Sequence, residues 1–323
     1  MSFGPTHAHP PQRRLERRSF VFLGALAAPT YPRTSRQEAP PVTMLPQKAP
    51  APQPVPGAEP AEPYAPFDAH LHCPSESGQV WQWHTVTRTM EEFVRHLDRT
   101  GVRRGIINNV RCQLAKSPAD FITGNREVAR YVEKYRGRFL GACVVNPLFI
   151  DEALREVEDC RRQLGFVWVG ELCNYTVPYK YTIQEFEQLV GQVVKHNMVL
   201  DVHTTLPEMD YIIGKFPEAT IVFPHMGEHS DIFKRIELVA RHSNCYLDTS
   251  GAGENRMGML EYAVGTIGED RVLFGSDFSI NDPACGLARI RHAYLSEAQK
   301  RKILRGNLEA LLKRFEGQSA AGA

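Results

Sequence analysis

The sequence predicts an α/β fold, a (β/α)8 TIM barrel forming a single catalytic domain over residues 67–315, and three observations carry that expectation. Short β-rich runs alternate with helical patterns, eight such units fit a span of roughly 250 residues, and histidines and carboxylates close several of the runs at their C-terminal ends. Alternation of this kind argues for parallel βαβ units over a sandwich or a bundle. An open doubly wound sheet is the alternative, but no Gly-rich phosphate loop follows the first strand.

The strands are expected at 67–72, 104–110, 139–146, 166–173, 198–205, 220–227, 245–250 and 271–278. Helical patterns are expected between them at 90–99, 119–135, 151–164, 183–196 and 232–241. Within these, apolar residues recur three and four apart, as in Phe93 and Leu97, or Ile183, Phe186, Leu189, Val190 and Val193.

The chain before the barrel reads differently. Arg13, Arg14, Arg17 and Arg18 precede the apolar run from Phe20 to Ala28, which has the three-part pattern of a signal peptide. The pair Arg17 and Arg18, followed by Ser19 and Phe20, resembles a twin-arginine export signal, so residues 1–28 are expected to be a leader. An unstructured basic leader is the plainer alternative. Twelve of the 23 prolines then fall between Pro29 and Pro66, a segment that can form neither helix nor central strand. Residues 29–66 are expected to be a disordered Pro-rich linker, and 316–323 a flexible tail. The expected location is exported, in the periplasm, with the twin-arginine machinery as a partner, or the cytoplasm if the leader is no signal.

Composition excludes some partners. Over 323 residues the formal net charge is +1, and acidic and basic residues nearly balance within the barrel segment. No global field draws nucleic acid, and none is expected as a partner. No apolar stretch reaches the roughly 18 to 20 residues of a membrane-spanning helix, so no stable span is expected after processing. A homo-oligomer is compatible with this reading. Seven widely spaced cysteines without a CxxC pair form neither a disulfide framework nor a zinc knuckle.

The chemistry lies at the strand ends. The first run ends Phe67-Asp-Ala-His70-Leu-His72, and residues two apart on a strand share a face, so His70 and His72 can grip one ion, with Asp68 on the same side. His203 closes the fifth run, His225 the sixth and Asp277 the eighth, while Glu171 adds a carboxylate from the fourth. In a barrel these ends surround one mouth. So many titratable groups are costly to bury together unless a cation binds them, and a divalent metal is the natural candidate. Cys73 alternates away from His72 and reads as structural. Trp81, Trp83, His84, Arg111 and Arg256 lie in the loops where a substrate would contact the barrel.

These motifs resemble the amidohydrolase superfamily, and within it the family 2 branch. Asp68-Ala-His70-Leu-His72, Asp201-Val-His203, Pro224-His225-Met-Gly227, Leu247-Asp-Thr-Ser250 and Phe274-Gly-Ser-Asp277 carry the likeness, with a tail from Ile303 to Leu312 like the family's closing helix. The resemblance implies His70, His72, His203 and Asp277 as ligands of a zinc or manganese ion. His225 would be an acid/base or substrate-polarising group, or, with Glu171, a ligand in a two-metal arrangement; one or two ions fit. Asp201 or Asp68 would orient ligand histidines. The implied reaction on a small-molecule substrate is hydrolysis of an amide, ester or lactone by metal-activated water, Asp277 taking the proton. Decarboxylation of an aromatic or unsaturated acid on the same site is the alternative. Val169-Gly-Glu171 also resembles the TatD-like deoxyribonucleases, which leaves phosphodiester hydrolysis open, and a non-catalytic exported metal-binding protein is the rival from outside enzymology.

Overall fold

A computed structural model describes residues 65–81, 87–227, 230–251 and 255–315. The expected leader and most of the Pro-rich linker lie outside the described residues, as do Trp83, His84, His229 and the C-terminal tail. All described residues fall within one unit of the chain.

Eight parallel strands follow one another around a barrel in chain order: β1 (Phe67–Cys73), β2 (Arg104–Asn109), β3 (Phe139–Cys143), β4 (Trp168–Leu172), β5 (Val199–Val202), β6 (Thr220–Phe223), β7 (Cys245–Asp248) and β8 (Val272–Leu273). The helices are α1 (Met90–Thr100), α2 (Val110–Gln113), α3 (Pro118–Lys134), α4 (Ile150–Arg162), α5 (Gln184–Lys195), α6 (Leu206–Lys215), α7 (Ile232–Arg241), α8 (Met259–Ile267), α9 (Pro283–Arg291), α10 (Glu297–Arg301) and α11 (Asn307–Lys313). Local chemistry sets their ends. Thr89 Oγ1 accepts the Glu92 N–H while Glu92 returns the bond to the Thr89 N–H, and Gly101 at φ 87° turns the chain out of α1 into β2.

Two cores follow from the period of the strands. Phe67, Ile106, Ala142, Trp168, Val199, Val222, Tyr246 and Leu273 form one cluster, which Leu308, Leu311 and Leu312 of α11 join. The larger cluster lies between strands and helices and includes Leu71, Ile107, Val169, Leu200, Phe223 and Leu247. Each such side chain contributes roughly 1.5 to 3 kcal/mol on leaving water. Cys73, Cys112, Cys143 and Cys160 are buried free thiols of this second layer, in keeping with a structural role for Cys73.

Apart from β1, which runs one residue further to Cys73, the strands are shorter than the sequence suggests. β8 spans two residues instead of eight, because beyond Leu273 the chain leaves the regular ladder: the Phe274 N–H goes to the Ile303 carbonyl and the Gly275 N–H to Thr249 Oγ1. That irregular segment closes the barrel. Ala69 N donates to Phe274 O (2.8 Å), Asp277 N to His70 O (3.0 Å) and His72 N to Phe278 O (2.5 Å), so backbone bonds tether Asp277 to the two histidines of β1.

Candidate metal centre

The mouth of the barrel brings all six expected side chains together. His70, His72 and Asp277 form one buried group whose ligand atoms lie within 4.8 Å of one another, and Glu171, His203 and His225 form a second. His70 Nε2 and His72 Nε2 are 3.0 Å apart, and Asp277 Oδ1 is 2.9 Å from His72 Nε2. Glu171 stands between the groups, with Oε2 3.4 Å from His70 Nε2 and 3.5 Å from His72 Nε2, and Oε1 3.6 Å from His225 Nε2.

Register slips make this convergence possible. The β1–β2 ladder shifts between Asp68 and Leu71, and the β4–β5 ladder between Val169 and Leu172. Each bulge sits at a candidate ligand, where an extra residue re-aims a side chain. The expectation that Asp68 shares the side of His70 and His72 therefore fails, since strict alternation does not run through the bulge. Asp68 Oδ1 instead accepts the backbone N–H groups of His70 and Ser276, both at 3.0 Å. Asp201 Oδ2 accepts the Trp168 indole N–H at 2.9 Å.

The orienting role expected of those two aspartates belongs to other residues. His70 Nδ1 bonds Asp248 Oδ2 (2.9 Å), His72 Nδ1 bonds Asn108 Oδ1 (2.8 Å) and His225 Nδ1 bonds Ser250 Oγ (2.9 Å), whose hydroxyl lies 2.5 Å from Asp248 Oδ1. Carboxylate and amide oxygens only accept, and the Ser250 proton goes to Asp248, so each of the three rings donates through Nδ1. In the neutral imidazole Nε2 then carries a lone pair. Three lone pairs thus point toward the carboxylates of Asp277 and Glu171, which is repulsive without positive charge among them. Glu171 Oε1 and Asp277 Oδ1 are moreover buried without a hydrogen-bond partner among the described residues. The donor set fits a divalent cation bound by nitrogen and oxygen.

The electrostatics show the same demand for positive charge among these carboxylates. Burial opposes charge on His70, yet Glu171 and Asp248 raise its pKa well above the usual imidazole value. Burial likewise opposes charge on Glu171, but His70, His203 and His225 hold its carboxyl well below the usual range. Burial pushes His203 down toward the neutral form. Burial also lifts the Asp68 carboxyl to about 7, against its two backbone hydrogen bonds. Asp277 (φ 60°) and His225 (φ 67°) both occupy the left-handed region, which costs a non-glycine residue of order 1 to 3 kcal/mol and collects at functional sites. Gly251, at φ 63°, leaves room for the His225 ring, into which a Cβ would run.

Other loop residues divide. The buried Trp81 ring lies 5.2 Å from the His72 ring, and Tyr175 sits edge-on to His203 at 4.9 Å. Arg111 is turned to Ser77 (3.4 Å) and Glu127 (3.9 Å), and Arg256 is exposed. Asn108, Asp248 and Ser250 were assigned no task by sequence reasoning. Their position at the ends of β2 and β7, on the same rim as the histidines, was the available signal.

The amidohydrolase family 2 model matches residues 67–314. A comparison with curated protein sequences gave no match. Among solved structures, dihydroxybenzoic acid decarboxylase from Polaromonas sp. JS666, with bound manganese and 2-nitroresorcinol, is similar at TM-score 0.63 and 20% identity, over 80% of this chain and 99% of that one. 5-Carboxyvanillate decarboxylase from Novosphingobium aromaticivorans, complexed with manganese and a nitrobenzoic acid, gives 0.64 and 17%, over 78% and 96%. 2,6-Dihydroxybenzoate decarboxylase from Rhizobium gives 0.61 and 18%, over 77% and 99%. With the family match covering the whole barrel, the chain belongs to the amidohydrolase family.

Proposed function

We propose that the protein is a metal-dependent enzyme that decarboxylates a small aromatic acid without oxidation. The observation that carries this reading is the setting of Asp277. Asn281 Nδ2 holds its Oδ2 at 2.9 Å, while Oδ1 is buried beside His72 Nε2 without a hydrogen bond. A carboxylate anchored at one oxygen and open at the other can face the ion and, once substrate is bound, pass a proton to it. Similarity to three aromatic-acid decarboxylases, two of them with bound manganese, supports the reaction class. Hydrolysis, the first expectation from sequence, draws no comparable support from them.

His70, His72, His203 and Asp277 would hold the ion, with Glu171 and His225 beside them. A bound divalent ion supplies Lewis-acid charge that stabilises an anionic substrate oxygen. The chain's own residues do the rest. Asp248, Asn108 and Ser250 keep the Nδ1 protons outward and Nε2 available. Tyr175, more than half exposed beside His203, offers an apolar surface to an aromatic ring, and the buried Trp81 backs the His72 ring. Asp277 delivers a proton to the ring carbon that bears the carboxylate. The bond from that carbon to the carboxylate then breaks, its electron pair returns to the ring, and carbon dioxide leaves, one proton being consumed per molecule released.

The test is product analysis with metal-loaded protein on ortho-hydroxylated benzoic acids and on matched esters and lactones. Release of carbon dioxide from the acids alone supports the proposal; cleavage of the esters or lactones without carbon dioxide would sink it. Export by the twin-arginine route belongs to the same proposal and rests on Arg17, Arg18 and the apolar run after them.

A further inference from the structure

We propose that Arg235 is a positioning residue for this site: one buried guanidinium spans the loops after β5 and β6 and sets where His203 and His225 stand. The inference rests on the site reading above. Arg235 lies in the first turn of α7 and is 3% exposed. Its Nη1 donates to Thr204 O at 2.6 Å, and its Nη2 to Pro224 O and His225 O, both at 3.4 Å. Thr204 directly follows His203, so the fork holds the backbone next to both histidines at once.

Helix docking does not require this arginine. Ile232, Ile236, Leu238 and Val239 already bury the face of α7 against the barrel. A buried cation is expensive to desolvate, and three carbonyl acceptors offset only part of that cost. Nε has no hydrogen-bond partner among the described residues, so the group is not used as fully as a structural clamp would use it. The backbone has been fitted to it instead. Gly227 sits at φ 108° where a Cβ would collide with the arginine side chain. Only a planar fork reaches two loops; a lysine ammonium of similar length is a single point and reaches one.

A second brace acts on the other side of His203. The Tyr181 hydroxyl lies 2.5 Å from His203 O and 3.1 Å from Leu172 O, tying the end of β5 to the end of β4. With Tyr181 on one flank and Arg235 on the other, the His203 backbone is fixed from both. Arg235 is the member that also fixes His225.

The experiment compares the full chain with Arg235→Lys and Arg235→Met by the histidine ring proton–carbon signals in NMR, assigned with His→Gln variants. Melting temperature and steady-state kinetics complete it. In Arg235→Lys the signals of His203 and His225 are expected to move more than those of His70 and His72, whose rings Asp248 and Asn108 hold. Melting should fall by only a few degrees. On an acid the wild type turns over, kcat should fall by about tenfold or more with KM within about twofold, as expected when reacting groups are displaced. A folded lysine variant with unmoved His203 and His225 signals overturns the proposal. So does collapse of both variants, which would make Arg235 a folding residue. If the wild type decarboxylates nothing, the functional reading fails while the ring signals still decide the role of Arg235.

Discussion

His70 Nδ1 meets Asp248 Oδ2 at 2.9 Å, and the other oxygen of that carboxylate accepts the His225 N–H at 3.0 Å. One aspartate from β7 therefore orients histidines from β1 and from the loop after β6. Replacing Asp248 by Asn keeps the shape but removes the charge that fixes the His70 tautomer. Metal affinity is expected to fall about 10- to 100-fold with the fold retained. Titration calorimetry with manganese or zinc reads this directly, and unchanged affinity would mean that His70 is oriented by something else.

The Tyr181 hydroxyl serves the His203 carbonyl, and the ring is 1% exposed. Tyr181→Phe leaves that buried carbonyl without its side-chain partner and should cost about 1 to 2 kcal/mol of stability. Urea unfolding checks it: a midpoint that does not move would show that the carbonyl finds another partner.

A pH effect is expected at the start of α8. Glu261 accepts Arg289 Nη2 at 2.7 Å and the Tyr294 N–H at 2.8 Å. Burial alone would raise its carboxyl, but these two bonds hold it below the ordinary glutamate value. A depressed folded pKa stabilises above the unfolded value, and that stability is lost as pH falls through the folded one. Glu261→Gln should therefore flatten the acid-side decline in melting temperature below about pH 5, the more so at low salt. Parallel curves for the two proteins would remove Glu261 from that decline.

If residues 1–28 act as the proposed export signal, Arg17→Lys together with Arg18→Lys in the full chain should leave the protein inside the cell, since the twin-arginine pattern depends on both guanidinium groups. Fractionation of a bacterial host checks this. Undiminished export would reject the twin-arginine assignment.

Much of the site was legible because a barrel sends every strand end to one rim. His70 and His72 could be read from alternation, and His203, His225, Glu171 and Asp277 from polar residues closing apolar runs. The bulges in β1 and β4 were not, because barrel strands are buried on both faces and read as nearly continuous apolar runs, in which one extra residue leaves no visible break. The partner of each histidine was also hidden. Asp248 lies 178 residues from His70 and Asn108 lies 36 from His72, and choosing among several buried acceptors is settled by packing rather than by local pattern. Asp68 and Asp201 looked equally suitable, yet the one bonded oxygen of each serves other groups, backbone N–H groups for Asp68 Oδ1 and the Trp168 indole for Asp201 Oδ2, and neither bonds a ligand histidine ring. The two-residue β8 was hidden too, as its apolar run continues past the point where the Phe274 N–H turns to Ile303.

The most direct measurement is proton delivery in heavy water. Metal-loaded wild type and Asp277→Asn would be given an ortho-hydroxylated benzoic acid in D2O, and the product examined by NMR. Wild type is expected to release one carbon dioxide and place one deuteron on the vacated ring carbon, while Asp277→Asn retains the fold and loses turnover by at least about 100-fold. Undiminished, singly deuterated product from the variant would contradict the role of Asp277. Hydrolysed ester or lactone, with every acid in the panel left intact, would contradict decarboxylation itself.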